Sequence, residues 1–125
     1  MSQARTQAKS ISYAIQGIAY AWRAQRNMRV LTAAGLLVLA AAWACRISAL
    51  EWLLLVGALF VLLSAEMVNT ALEIFADHST GGAHRAEIKR MKDVAAGAVL
   101  MTALNAAVVS AVIFLPRVLA LLRNR

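Results

Sequence analysis

From Trp52 to Phe75 the chain runs for 24 residues with only two charged side chains, Glu66 and Glu73. As a helix this run rises about 36 Å, more than the roughly 30 Å hydrocarbon core of a bilayer. Two further apolar runs flank it, Val30 to Ala44 and Val94 to Leu115, the latter expected to be closed by Pro116. With 62% of 125 residues hydrophobic and 15% charged, against about 25% charged in an ordinary soluble domain, the chain holds more apolar surface than a domain of its size can bury against itself. The remainder must face lipid or other subunits. The expectation is an all-α integral membrane protein.

Three spans are predicted, over residues 30–45, 52–75 and 94–115, in one membrane domain covering residues 1–125. The first is short: the fifteen residues Val30 to Ala44 give only about 22 Å of helix, so adjoining residues must help it cross. Ahead of it, residues 4–26 carry Ile11, Ala14, Ile15, Ile18 and Trp22 at three- and four-residue steps beside Arg5, Lys9, Arg23 and Arg26, the pattern of an amphipathic helix lying in the membrane surface. Met1 to Ser10 is polar and no cleavage site follows a short apolar region, so the first span is expected to stay in the mature protein. Residues 78–84, His-Ser-Thr-Gly-Gly-Ala-His, read as a polar loop. Ala103, Ala107 and Ala111 form a small-residue stripe suited to close helix packing. Cys45 is the single cysteine; it can form no internal disulfide, and Cys/His metal spacings are absent.

Nine of the thirteen Lys and Arg residues fall before Val30 or between Arg85 and Lys92, which three spans place on the same side. By the positive-inside rule that side is cytoplasmic, although Arg117, Arg123 and Arg125 then lie outside. The net charge of +7 flanks apolar spans without interleaved aromatics on a solvated face. Nucleic acid is therefore not the expected partner, and lipid headgroups or phosphates are.

Glu66, Asn69, Glu73 and Asp77 recur at steps of three and four and share one helix face. Glu66 lies about 21 Å along the helix from Trp52, within the span, where an ionisable group is costly and points to a functional site. Glu73 and Asp77 are progressively nearer the basic side. Across the loop, Lys92-Asp93 stands where the third span opens, with Asp93 either a helix cap or a site residue, Lys92 either a surface anchor or a phosphate ligand, and Asp77 either a solvated loop residue or part of the stripe. Carboxylates able to hold Mg2+, a lysine for phosphate and a carboxylate at lipid depth suit phosphoryl transfer at the membrane surface. No Walker A loop is present. A small proton-coupled transporter using Glu66 is the alternative, and a noncatalytic assembly subunit a third; neither explains why charges gather at one end.

The segments Ala65-Glu66-Met67-Val68-Asn69-Thr70-Ala71-Leu72-Glu73 and Lys92-Asp93-Val94-Ala95-Ala96-Gly97 resemble the prokaryotic diacylglycerol kinase and undecaprenol kinase family, with weaker similarity over about residues 9 to 115. The resemblance implies an ATP-dependent lipid kinase of the bacterial inner membrane, with three spans, an N-terminal surface helix and a homotrimer with active sites between subunits. It implies that Glu66 is the catalytic base, that Glu73 holds Mg2+ on the ATP phosphates, and that Asn69, Asp77, Lys92, Asp93 and Tyr13 match nucleotide-site positions. The acceptor would be diacylglycerol or undecaprenol. The segments Arg26-Asn27-Met28-Arg29 and Leu50-Glu51-Trp52 lean toward the undecaprenol branch.

The chain departs from the family pattern at two places. Gln25 stands where a second metal-binding glutamate is usual, and a neutral amide binds Mg2+ more weakly than a carboxylate. The stretch from His84 to Lys92 is one residue longer than usual, and Gly82 replaces an acid.

Overall fold

The computed structural model describes residues 3–78 and 85–123. They form four helices, α1 (Gln3–Ala24), α2 (Arg26–Ala44), α3 (Ala49–His78) and α4 (Arg85–Arg123). The last three are long and apolar enough to cross a membrane. At 19, 30 and 39 residues they rise about 28, 45 and 58 Å. The apolar runs are thus parts of longer helices, and with Arg26 to Arg29 included α2 is long enough to cross. The Gly81-Gly82 pair and His84 lie outside the described residues.

Several boundaries correct the sequence-based expectation. The helix expected over residues 4–26 breaks at Gln25, whose backbone is extended (φ −104°, ψ 120°). Arg29 stabilises that break by donating from Nη1 to the carbonyls of Trp22 and Arg23 at the end of α1, a basic group on the negative end of a helix. His78 belongs to the last turn of α3, with its ring nitrogen 2.8 Å from the Ile74 carbonyl. Since α4 begins at Arg85, Lys92 and Asp93 sit about two turns inside it, so Asp93 is no N-terminal cap and the helix dipole cannot be what favours it. Pro116 does not end α4 either, which continues to Arg123. A proline leaves the carbonyl four residues earlier without its usual donor, and next to that gap the Arg117 guanidinium donates to the Ile113 carbonyl.

The turn from α2 to α3 is built from backbone. Arg46 has φ +49°, the left-handed position that closes a helix. The Arg46 N–H bonds Trp43 O and the Ile47 N–H bonds Ala42 O, the double closure of a Schellman end. Ile47 and Ala42 are both buried in one apolar cluster with Leu55 and Ile113. Ser48 and Glu51 then cap each other at the start of α3: the Ser48 N–H donates to Glu51 Oε2 and the Glu51 N–H to Ser48 Oγ, a capping box.

Helices α3 and α4 pack antiparallel in one continuous register. Glu51 meets Arg117, Leu55 shares a cluster with Ile113, Leu62 shares one with Ala106, and Asp77 meets Lys92. The residue numbers of each pair add to nearly the same total. On α4 the inward positions include Ala95, Ala106 and Ile113, with Val99, Ala103 and Val109 partly buried beside them. Of the expected alanine stripe, Ala103 packs against the core while Ala107 and Ala111 are exposed. Alternating three- and four-residue steps keep a seam facing its partner, whereas unbroken steps of four drift around the helix.

Candidate active site

Along α3 the packing face changes character midway. Leu55, Ala58 and Leu62 are buried on it, and the same face continues through Glu66, Thr70 and Ala76. Glu66 is only 2% exposed. By the α3–α4 register it lies level with Thr102, and Glu73 lies level with Ala95. The Thr70 hydroxyl donates to the Glu66 backbone carbonyl, so it leaves the carboxyl untouched. Glu66 Oε2 is buried and has no hydrogen-bond partner among the described residues. Orphaned buried oxygens are rare because each costs the desolvation of a polar group without return.

Two turns further on, about 10 Å along the axis, Glu73 is the opposite case. Asn69 Nδ2 donates to its Oε1 at 3.2 Å and Gln25 Nε2 to its Oε2 at 2.9 Å. Asn69 reaches it as an i, i+4 neighbour on α3. Gln25 is 48 residues away in sequence and reaches it because the chain breaks there: Gln25 stands at the N-cap of α2, yet its side chain makes no cap and extends instead to α3. The break between α1 and α2 thus brings a neutral amide against the Glu73 carboxylate.

At the mouth of the stripe, Lys92 Nζ donates to Asp77 Oδ1 at 2.7 Å, joining α4 to α3. Lys92 precedes the third apolar span, and this hydrogen bond, with the charges of Asp77 and Glu73, lifts its ammonium above the ordinary lysine range despite some desolvation. Lys89 pairs with Asp93 at 2.7 Å along α4, and the same kind of bond raises Lys89. Asp93 thus belongs to a separate, exposed pair. Tyr13 is exposed on α1 and makes no hydrogen bond to the cluster among the described residues. The structure brings together Gln25, Asn69 and Glu73, places Asp77 with Lys92, and buries Glu66 below them.

Beside Asn69 an open groove of about 540 Å3 runs between α3 and α4, lined by Ala65, Val68, Leu72, Val94 and Ala98 with Arg90 among its polar wall residues. Neither Arg90 nor the groove was expected from the sequence; small residues at 65, 95 and 98 are the only trace of it there.

No group of three or more His, Cys, Asp or Glu that could hold a metal exists among the described residues. Glu73 with an amide oxygen nevertheless suits Mg2+, which takes oxygen ligands and is commonly held by one or two carboxylates plus substrate phosphates and water. A half-turn of the Gln25 amide would present its carbonyl oxygen in place of its NH2.

At the far end of α3 and α4, Arg117 grips Glu51 through two bonds, Nη1 to Oε1 and Nη2 to Oε2, each 2.9 Å. Glu51 lies in the first turn of α3, ahead of the apolar run that opens at Trp52, and the Arg117 hydrogen bonds, helped by the Ser48 backbone N–H, pull its carboxyl down to about 2. This clamp went unseen in the sequence, and it means that Arg117 is a neutralised charge rather than a free one.

The family model for prokaryotic diacylglycerol kinase matches residues 12–114, which include every residue of the cluster. A diacylglycerol kinase of Synechocystis sp. is 36% identical over 113 residues, covering 90% of this chain and 65% of its own length. An undecaprenol kinase of Bacillus subtilis is 37% identical over 112 residues, covering 87% of this chain and 88% of its own. With its three membrane-length helices and a match over most of its length, this chain belongs to the prokaryotic diacylglycerol kinase family.

Proposed function

We propose that this membrane lipid kinase transfers the γ-phosphoryl group of ATP to the single hydroxyl of a lipid alcohol, diacylglycerol or undecaprenol, at the cytoplasmic face of the inner membrane and as a homotrimer. The observation that carries the assignment is the buried Glu66 carboxyl, whose Oε2 has no partner among the described residues, about two helical turns below the Glu73 cluster. An acceptor hydroxyl donating to Glu66 would satisfy the orphaned oxygen and place the reacting oxygen beside a base.

In this mechanism Glu66 takes the hydroxyl proton as the lipid oxygen forms its bond to the γ-phosphorus and the bond to the bridging oxygen of ADP breaks. Lys92 exchanges its Asp77 partner for phosphate oxygens. Asn69, Asp77 and Asp93 orient the nucleotide end, and Tyr13 covers it from α1. Glu73, with the Gln25 amide oxygen, would hold Mg2+, which when bound neutralises charge on the transferring phosphoryl group. The groove beside Asn69 gives the apolar body of the acceptor a lateral way in from the bilayer. Positioning and charge neutralisation supply most of the rate. A proton-coupled transporter would explain Glu66 alone, and it gives no reason for the Asp77–Lys92 and Glu73 contacts.

The test is phosphorylation of both alcohols offered together to the purified protein in one mixed micelle with labelled ATP. Label should enter at least one lipid, and ATP consumption should require it. ATP loss independent of the alcohol, or no labelled lipid from either, overturns the assignment.

A further inference from the structure

Both oxygens of Glu73 accept hydrogen bonds from neutral amides, one from Asn69 and one from Gln25. A carboxylate only accepts, so each amide must turn its NH2 toward it, and the carbonyl oxygen that could bind a cation points elsewhere. The Gln25 contact is part-buried, and Gln25 is held by a fixed backbone: its N–H bonds Ala21 O and its carbonyl accepts from the Arg29 N–H. The fixed backbone keeps the amide within reach of Glu73. A divalent ion approaching Glu73 thus meets NH2 hydrogens on both carboxylate oxygens and finds a single negative charge among these three residues. Mg2+ gives up its water reluctantly and favours sites with more carboxylate oxygen.

We propose that the Gln25 and Asn69 amides form a lock on Glu73, so that the nucleotide-free enzyme holds no divalent cation at this site and takes one up only together with the phosphates of its nucleotide. Gln25 then satisfies the Glu73 carboxylate in the resting state, and its amide oxygen would become available as a ligand once phosphate oxygens contribute to the ion's coordination. This rests on the metal role of Glu73 proposed above. It makes cation uptake and nucleotide binding strongly coupled, each raising the affinity of the other by the same factor.

Binding of Mn2+, followed by loss of its free electron paramagnetic resonance signal, tests this on the full-length protein in lipid nanodiscs, with and without a nonhydrolysable ATP analogue. Wild type should take up Mn2+ only with the analogue, beyond the binding of the analogue alone. Gln25→Glu, which restores a second carboxylate, should bind Mn2+ without nucleotide at least about tenfold more tightly than wild type. Wild-type binding without nucleotide as tight as that of Gln25→Glu overturns the lock, as does a Gln25→Glu protein no tighter than wild type while Glu73→Gln abolishes uptake. If Glu73→Gln retains full Mn2+ uptake with the analogue, the metal role of Glu73 itself falls, which is a different result. Circular dichroism and thermal unfolding of each variant confirm that the protein measured is folded.

Discussion

Replacing Glu66 by glutamine keeps the side chain's shape and removes its ability to accept a proton. General-base catalysis contributes typically ~10²- to 10⁴-fold, or about 3–5 kcal/mol of barrier, so Glu66→Gln should lower turnover by about that factor. The KM for ATP should be nearly unchanged, because the nucleotide cluster lies about 10 Å along the helix. Burial adds a second expectation. Glu66 is almost wholly enclosed and its Oε2 has no partner among the described residues, a situation that costs about 1–3 kcal/mol. Glu66→Met fills similar space without a polar atom, so it should raise the unfolding free energy by a comparable amount while abolishing activity. Steady-state kinetics with saturating lipid and reversible unfolding in mixed micelles measure the two effects. A Glu66→Gln enzyme within threefold of wild-type turnover would refute the catalytic role. A Glu66→Met protein less stable than wild type would show that the carboxyl is a structural partner.

Lys92→Ala should raise the KM for ATP and lower turnover, since it removes a phosphate ligand present in both ground and transition states; Lys89→Ala, whose partner is the exposed Asp93 on its own helix, should do less, and equal small effects in steady-state assays would reduce Lys92 to a surface anchor. Ala98→Phe, at the groove between α3 and α4, should raise the KM for the lipid and spare that for ATP, and the reverse pattern would move the acceptor elsewhere. Leu55→Ala, at a large side chain that is completely buried, should cost about 2–5 kcal/mol of stability without changing the ATP dependence, as read by unfolding in micelles; a loss under 1 kcal/mol would mean that this end of the bundle repacks freely.

The helices were legible because apolar runs of membrane length have few alternatives. Their ends were not. Composition marks where lipid stops, whereas a helix continues until its backbone finds another partner, so α3 runs to His78 and α4 starts at Arg85, well outside the apolar stretches. Pro116 was misread as a stop because proline is usually tolerated only at helix starts; here an arginine donor lies beside the gap. The acidic stripe was legible from helical spacing, and the Lys89–Asp93 pair could have been, since an i, i+4 charge pair on one helix is a local feature. The Gln25–Glu73 and Glu51–Arg117 contacts join residues 48 and 66 apart. No periodicity within one helix encodes either, and only the family resemblance drew attention to Gln25.

The two ends of the α3–α4 pair are tied unequally, and this gives the pair leverage. At one end Arg117 and Glu51 are joined by two parallel bonds, with side chains 32% and 27% exposed; at the other, Lys92 and Asp77 share a single contact with side chains 39% and 70% exposed. Exposed single pairs are weak and salt-sensitive, while bidentate arginine pairs are the geometrically specific kind. The 26 helical steps from Glu51 to Asp77 span about 39 Å. Widening the Lys92–Asp77 gap by about 3 Å then needs a tilt of only about 4° around the clamp. The pair is thus expected to give at the Lys92–Asp77 end, within the length of the six-residue connection from His78 to Arg85, before it gives at the clamp. Spin labels at Ile74 and Ala86 should therefore give a broader distance distribution than labels at Leu53 and Leu115, and adding nucleotide should narrow only the first; equal widths at both ends would place the hinge elsewhere.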